Sequence, residues 1–243
     1  MQHVILSPHL DDAVLSCGGL IYQLAQTGQP VRVITIFAGD PPPGALSPFA
    51  QGLHARWGAA PARRRDEDRA ALQWLGAEAI AWPYPDAIYR RDSNGPLYDS
   101  EESIFGEVAE ADAGLVASVA QRLAEIDLSA RLVAPLAAGH HVDHQLVRAA
   151  AESLGRALIY YEDYPYAETP DKLEAVVRAG AWLAERVRLN DESIRMKAKA
   201  INAYRSQIST FFEDAAEVEQ RVRAYASRAG GEAGPAERLW RPA

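Results

Sequence analysis

The sequence predicts an α/β fold built on a mostly parallel sheet flanked by helices, and three observations predict it. Short apolar runs rich in β-branched residues alternate with segments of helical spacing. The first three elements, Val4–Leu6, Ala13–Thr27 and Val31–Phe37, read strand, helix, strand over about 35 residues, which suits a right-handed βαβ unit. No internal repeat or clear linker divides the 243 residues, so one domain over 1–243 is the simplest partition. Together these describe a Rossmann-like three-layer domain whose site should lie at the carboxyl ends of the strands.

Each element has its own signal. Val4-Ile5-Leu6 is apolar throughout, as a strand buried on both faces should be. In Ala13–Thr27, residues Val14, Leu15, Gly18, Leu20, Ile21, Leu24 and Ala25 share one broad face. Gly28 closes that helix and Pro30 bars its continuation. Val31–Phe37 is a second buried strand. Ala38–Pro61, rich in Pro, Gly and Ala, is expected to be a long loop, a feature often tied to function. Ala62–Leu75 has helical spacing and stops at Gly76, and Glu78–Trp82 is a third strand. Pro83–Ser103 is irregular, with turns at Pro85-Asp86 and Asn94-Gly95-Pro96. The acidic stretch Glu101–Asp112 is expected on solvent. A helix over Ala113–Ile126, a strand over Arg131–Pro135, a helix over Asp143–Leu154 and a strand over Ala157–Tyr161 follow. A short helix over Glu174–Ala181, a late strand over Leu183–Leu189 and two helices, Ser193–Ser206 and Phe212–Ser227, complete the pattern. No element is assigned to the Gly/Ala-rich end, Ala229–Ala243.

Composition excludes several function classes. A hydrophobic fraction of 48% suffices for a full core. A net charge of -8 argues against a nucleic-acid surface, and the run Arg63-Arg64-Arg65 is too short to reverse that. Cys17 is the only cysteine, so no intrachain disulfide forms. The start lacks a signal-peptide pattern, and no apolar run approaches the roughly 20 residues of a membrane span. A soluble, cytoplasmic protein is expected, with homo-oligomerisation left open.

Two clusters concentrate the chemistry: His9-Leu10-Asp11-Asp12 and His140-His141-Val142-Asp143-His144 hold four of the six histidines. Each follows a strand and opens a helix, so the topology should bring both to one sheet edge. His9 and Asp12, three apart, suit a tight turn around one ion. One histidine of the second cluster would complete a His-Asp-His set and leave room for water, the mark of a catalytic metal site. His141 and His144, also three apart, would divide into an acid and a ligand. Asp143 is placed to orient a neighbouring imidazole. The plainer reading is that Asp11, Asp12 and Asp143 only cap helices, and that Gly18-Gly19 only allows a close contact.

At these residues the chain resembles the LmbE/PIG-L family of zinc-dependent N-acetylglucosaminyl deacetylases. The family's opening motif, Ala-His-Pro-Asp-Asp-Glu and then Gly-Gly, stands here as Pro8-His9-Leu10-Asp11-Asp12-Ala13 and Gly18-Gly19. The later His-x-Asp-His motif is intact as His141–His144. Weaker matches in the family's order are Arg64 and Glu67 ahead of Leu75-Gly76, then Pro85-Asp86, then Lys197, Ala200, Ser206 and Gln207, and finally Ala236-Glu237-Arg238. The resemblance implies that His9, Asp12 and His144 bind Zn2+ (or another divalent first-row metal). It makes Asp11 the general base on the metal-held water. It has His141 stabilise the oxyanion or protonate the leaving amine, with Asp143 holding it. Arg64 and Asp86 match positions that contact the sugar. The implied reaction removes the N-acetyl group from an N-acetylglucosamine-containing small molecule or glycoconjugate. Leu10 replaces the usual proline and Ala13 the usual glutamate, which touches the tuning of the site rather than its ligands or base.

Three alternatives remain at this level: an amidase of the same fold acting on another amide such as a thiol conjugate, a two-histidine, one-carboxylate iron enzyme, and a non-catalytic metal-binding protein. The iron reading leaves Asp11 and the His141–Asp143 pair without work. The loops 38–61 and 83–103, with Phe49, His54, Trp57, Tyr84, Tyr89 and Tyr98, are expected to face the site.

Overall fold

Nine strands and ten helices make up the described residues, 1–58 and 61–243, of the computed structural model. Positions 59–60, within the loop expected over 38–61, lie outside the described residues. In chain order the elements begin β1 (His3–Ser7), α1 (Asp12–Gln26), β2 (Val31–Thr35), α2 (Pro48–Trp57), α3 (Pro61–Leu75) and β3 (Glu78–Ala81). A small hairpin of β4 (Arg91–Asp92) and β5 (Gly95–Pro96) precedes α4 (Glu101–Ile104), α5 (Ala113–Leu123), β6 (Arg131–Pro135), α6 (Val142–Glu152) and β7 (Leu158–Tyr161). The rest is α7 (Pro170–Arg178), β8 (Trp182–Arg188), α8 (Asp191–Ile201), α9 (Ile208–Phe211), α10 (Ala215–Gly230) and β9 (Ala236–Pro242).

Seven strands form one sheet in the order β3-β2-β1-β6-β7-β9-β8. The first five run parallel; β9 pairs antiparallel with both β7 and β8. The expected α/β architecture is therefore present. Alternate strand residues enter two cores, as the two-residue period of a strand requires. Ile5, Val33 and Val133 face a cluster with α1, α3, α8 and α10. Val4, Leu6, Ile34, Leu132 and Ala134 face a cluster with α5 and α6. Chain order runs outward from β1 in one direction and from β6 in the other. The gap beyond their carboxyl ends is thus the topological switch point, where open α/β sheets bind ligands. β1 and β6 are neighbours, with Ile5 opposite Val133.

Several expectations need correction. The loop expected over Ala38–Pro61 contains α2, with Ser47 accepting from the Ala50 N–H at 3.1 Å and Pro48 in the first helical turn. Cap and proline outweigh the Gly/Ala composition there. The C-terminal end contains β9, whose pairing partners lie far away in sequence. The helix expected at 174–181 starts earlier, at Pro170. The stretch Glu101–Asp112 is not wholly solvated, because Asp112 is buried against Arg90 and Tyr98. Described parts of the two regions, Ala50 and Leu53 of α2 and Ala87, Ile88, Tyr89 and Tyr98, pack with Ile104 and Val142 in a third core, from which Leu53, Ile88 and Ile104 line the site cavity. No described helix is long and apolar enough to cross a membrane.

Candidate active site

His9, Asp11 and Asp12 leave the end of β1, and His141, Asp143 and His144 leave the end of β6 through the start of α6. The structure brings all six together. Asp12 Oδ2 lies 3.2 Å from His9 Nδ1 and 3.2 Å from His144 Nε2, and it accepts the His9 backbone N–H at 2.8 Å. Donor atoms of His9, His141 and His144 lie within 4.8 Å of one another, and those of His9, Asp86 and Asp143 form a second such group. A cavity of about 270 Å³ opens over His9, Asp11, Asp12 and His141, lined also by Arg64, Asp86 and Gln207.

The reading of Asp11 as a helix cap fails. It occupies the cap position of α1 but makes no side-chain capping bond. Its backbone stands at φ 128°, a strained region for any residue but glycine, and its carboxyl lines the cavity. Burial and then the adjacent Asp12 charge push Asp11 up to about 8. Asp12 behaves oppositely. Burial raises it, but the His144 and His9 charges hold it well below the usual carboxylate range.

His144 is anchored from behind. Its Nδ1–H donates to Asp163 Oδ1 at 2.6 Å. That leaves Nε2, which is buried and without a hydrogen-bond partner, facing Asp12. A carboxylate behind one ring nitrogen and an unpartnered second nitrogen is the arrangement of a metal-ligating imidazole. The charges agree. Burial lowers His144, yet Asp12 and Asp163 carry it up to about 9. Burial also lowers His9, yet Asp86, Asp12 and Asp143 together raise it well above normal. The donor set therefore fits a divalent cation.

Asp143 departs from expectation. Its carboxylate does not hold His141. Oδ2 accepts from His9 Nε2 at 2.8 Å and from the Ala87 N–H at 3.0 Å, and Oδ1 lies 2.6 Å from Arg90. Only its backbone N–H reaches His141, donating to Nδ1 at 3.2 Å. Residues two apart at a helix start do not face each other. His141 is the cap of α6, and burial and then the His9 charge lower it well below normal, so it is neutral. With Nδ1 accepting, the neutral ring carries its proton on Nε2.

Arg64 is buried, with its guanidinium over the Trp57 ring at 4.5 Å and Nε unpartnered. Asp86 both caps the turn at 87–89, accepting from Ile88 N–H at 3.2 Å, and sits 3.9 Å from His9 Nε2. Sequence reasoning missed Arg90, which links Asp143 to Asp112, and gave Asp163 no part in holding His144. Asp163 at least stands just after the apolar strand β7, whereas Arg90, behind the turn at 87–89, carries no such signal.

The family model described as GlcNAc-PI de-N-acetylase, PIG-L, matches residues 4–154, which include both clusters. The chain belongs to this PIG-L/LmbE family and is a deacetylase. A 2'-N-acetylparomamine deacetylase of Niallia circulans is 28% identical over 239 residues, covering 88% of this chain and 83% of that protein. A crystal structure of the zinc-inhibited form of teicoplanin deacetylase is 31% identical, with a TM-score of 0.84, over 99% of this chain and 97% of the other. A deacetylase–teicoplanin complex from teicoplanin biosynthesis is 30% identical, with a TM-score of 0.83, over 99% and 98%.

Proposed function

We propose that this PIG-L deacetylase removes the N-acetyl group from an N-acetylglucosamine-containing glycoconjugate, with Zn2+ as its metal held by His9, Asp12 and His144. One observation carries the reading: His144 Nε2, without a hydrogen-bond partner, stands 3.2 Å from Asp12 Oδ2 beside His9, with Asp11 and Asp12 both lining the cavity. When bound, a divalent ion lowers the pKa of a water molecule and polarises a carbonyl. Asp11, lining the cavity beside Asp12, takes the proton of the attacking water and returns it to the departing amine. The Nε2–H of neutral His141 donates to the acetamide oxygen as charge develops on it, so His141 serves as oxyanion donor rather than acid. Water and amide become acetate and a free amine. Asp143 and Arg90 orient His9, and Arg64 and Asp86, both lining the cavity, take the role of sugar contacts in this reading.

The cavity's upper wall is apolar, formed by Leu53, Trp57, Ile88, Ile104 and Phe105. A bare sugar covers only part of that wall, by packing its C–H face on an aromatic ring, so a substrate with an apolar group attached to the sugar is favoured. The named relatives, with 2'-N-acetylparomamine and in teicoplanin biosynthesis, support a small-molecule glycoconjugate. The test is acetate release by zinc-loaded protein from a panel running from free N-acetylglucosamine to glycosides with apolar aglycones. Rising kcat/KM along the panel is expected. Failure to release acetate from every N-acetyl sugar overturns the reading and redirects the search to other amides.

A further inference from the structure

Helix α1 is not continuous. Residues 12–16 make a single turn, Cys17 leaves the helical region at φ -133° and ψ 29°, and the helix resumes beyond it. The turn is irregular at its other end too, where Asp11 stands at φ 128°. One turn has little stability of its own, because a helix nucleus fixes several dihedrals for one hydrogen bond. The break also strands carbonyls at the end of the turn and N–H groups at the start of the next segment, all in the interior.

Two side chains from distant elements meet those groups. Lys197 of α8 donates Nζ to Ser16 O at 3.1 Å. Glu237 of β9 accepts the Gly19 N–H at 2.9 Å and the Leu20 N–H at 2.7 Å. The two charges are 2.7 Å apart and both residues are buried. A cation on the last carbonyls and a carboxylate on the first N–H groups are the charges that helix ends favour. Gly18 and Gly19 leave the room: a Cβ on Gly18 would stand 3.0 Å from Lys197 Cγ, and one on Gly19 would stand 2.7 Å from Leu189 and 3.1 Å from Glu237. Lys197 and Glu237, which the resemblance matched without a task, thus meet the two glycines of the opening motif.

We infer that Gly18-Gly19, Lys197 and Glu237 form a clamp that aims the one-turn helix carrying Asp11 and Asp12. Lys197 and Glu237 are then positioning residues, since neither lines the cavity. A buried ion pair is weak ground for stability alone, and apolar side chains could fill the volume. They could not satisfy the backbone groups on both sides of the break. The catalytic consequence rests on the deacetylase reading, whereas the consequence for metal affinity does not.

The test compares the double variant Lys197→Met/Glu237→Gln, which removes both charges and leaves none buried alone, with Val222→Ala in the same core. Zinc affinity is read by competition with a chromophoric chelator, kcat and KM by acetate release, and Tm by thermal melting. The double variant is expected to bind zinc about tenfold more weakly and to lose about tenfold in kcat with KM nearly unchanged, as displaced ligands and base would. Val222→Ala lowers Tm alone. Gly19→Ala, which crowds Leu189 and Glu237 with both charges kept, shifts zinc affinity the same way and serves if the double variant does not fold. Lys197→Arg, which keeps a donor on Ser16, restores most of the affinity. Changes in Tm without changes in zinc affinity or kcat overturn the clamp. Absence of hydrolysis by the unaltered protein overturns the deacetylase reading and leaves zinc affinity to decide the clamp.

Discussion

His141–His144 and His9–Asp12 reach the same cavity on different kinds of backbone. The second cluster opens a regular helix: His141 caps α6 through Nδ1, and His144 sits one turn further on the same side. The first sits on a left-handed step at Asp11 and a single helical turn that breaks at Cys17. Helix rules therefore set the backbone of the later half from His141 on, while Asp163 and Arg90 hold its side chains from outside. The earlier half depends on contacts from elsewhere: Ser7 Oγ with the Ala13 N–H, Asp143 and Asp86 on His9, and Lys197 and Glu237 on the break. The half with the proposed base is the half whose backbone is held from outside. Strain of order 1–3 kcal/mol at such a residue persists only where surrounding structure over-determines it.

The largest expected effects come from cutting each half at its centre. His144→Ala should lose both metal and hydrolysis, because it removes a proposed ligand and leaves Asp163 Oδ1 buried without its partner. Asp11→Ala should keep the metal yet lose about 10³-fold in kcat, within the range of a positioned acid–base group. Metal content and acetate release separate the two. If Asp11→Ala hydrolyses normally, the division of labour between the halves is wrong.

The carboxylates behind the two histidines give a finer comparison. Asp163→Ala frees His144 Nδ1, and Asp143→Ala frees His9 and also strands Arg90, itself buried beside Asp112. Losses of roughly 10–100-fold in metal affinity are expected for removing such an orienting carboxylate, with the greater loss of Tm in Asp143→Ala. Equal thermal losses in the two variants would remove Arg90 from the account.

The difference between the halves also explains what could be read in advance. Strand–helix alternation located both clusters, because the rules of βαβ topology carry the ends of β1 and β6 to one place without knowledge of contacts. Pairing inside the site was less legible. His141 and Asp143 looked like partners in the sequence, but two-residue spacing at a helix start turns their side chains apart. Arg90, Asp112 and Asp163 lie on irregular segments with no periodicity to mark them, and only loop-to-loop packing gives them their roles. The short helix α2 carried a readable start signal in Ser47-Pro48, masked by the Gly and Ala around it. Strand β9 has no local partner, since its neighbours β7 and β8 are arranged by the finished sheet.

The smallest effect concerns the negative charge crowded around the first half. Asp68 of α3 is buried, and its carboxylate accepts from Tyr204 Oη at 2.6 Å. Burial pushes its pKa up to about 6 despite that bond and the nearby Arg64, and the charge on Asp12 adds to the rise. A raised carboxyl pKa means that the folded state favours the proton. The stability this contributes is full below about pH 4, the unfolded value, and is lost as pH rises through about 6. The difference of about two pKa units corresponds to roughly 3 kcal/mol at most. Asp68→Asn keeps an acceptor for Tyr204 and cannot ionise, so it should gain on the unaltered protein by about 1–3 kcal/mol between pH 4 and pH 8 in chelator-treated samples. Denaturant melts at the two pH values measure that gain. A constant difference between the two proteins would mean that Asp68 is already ionised in the fold at pH 4, with Arg64 and Tyr204 outweighing burial. It would also mean that the charge crowding the base-bearing half carries no cost in stability.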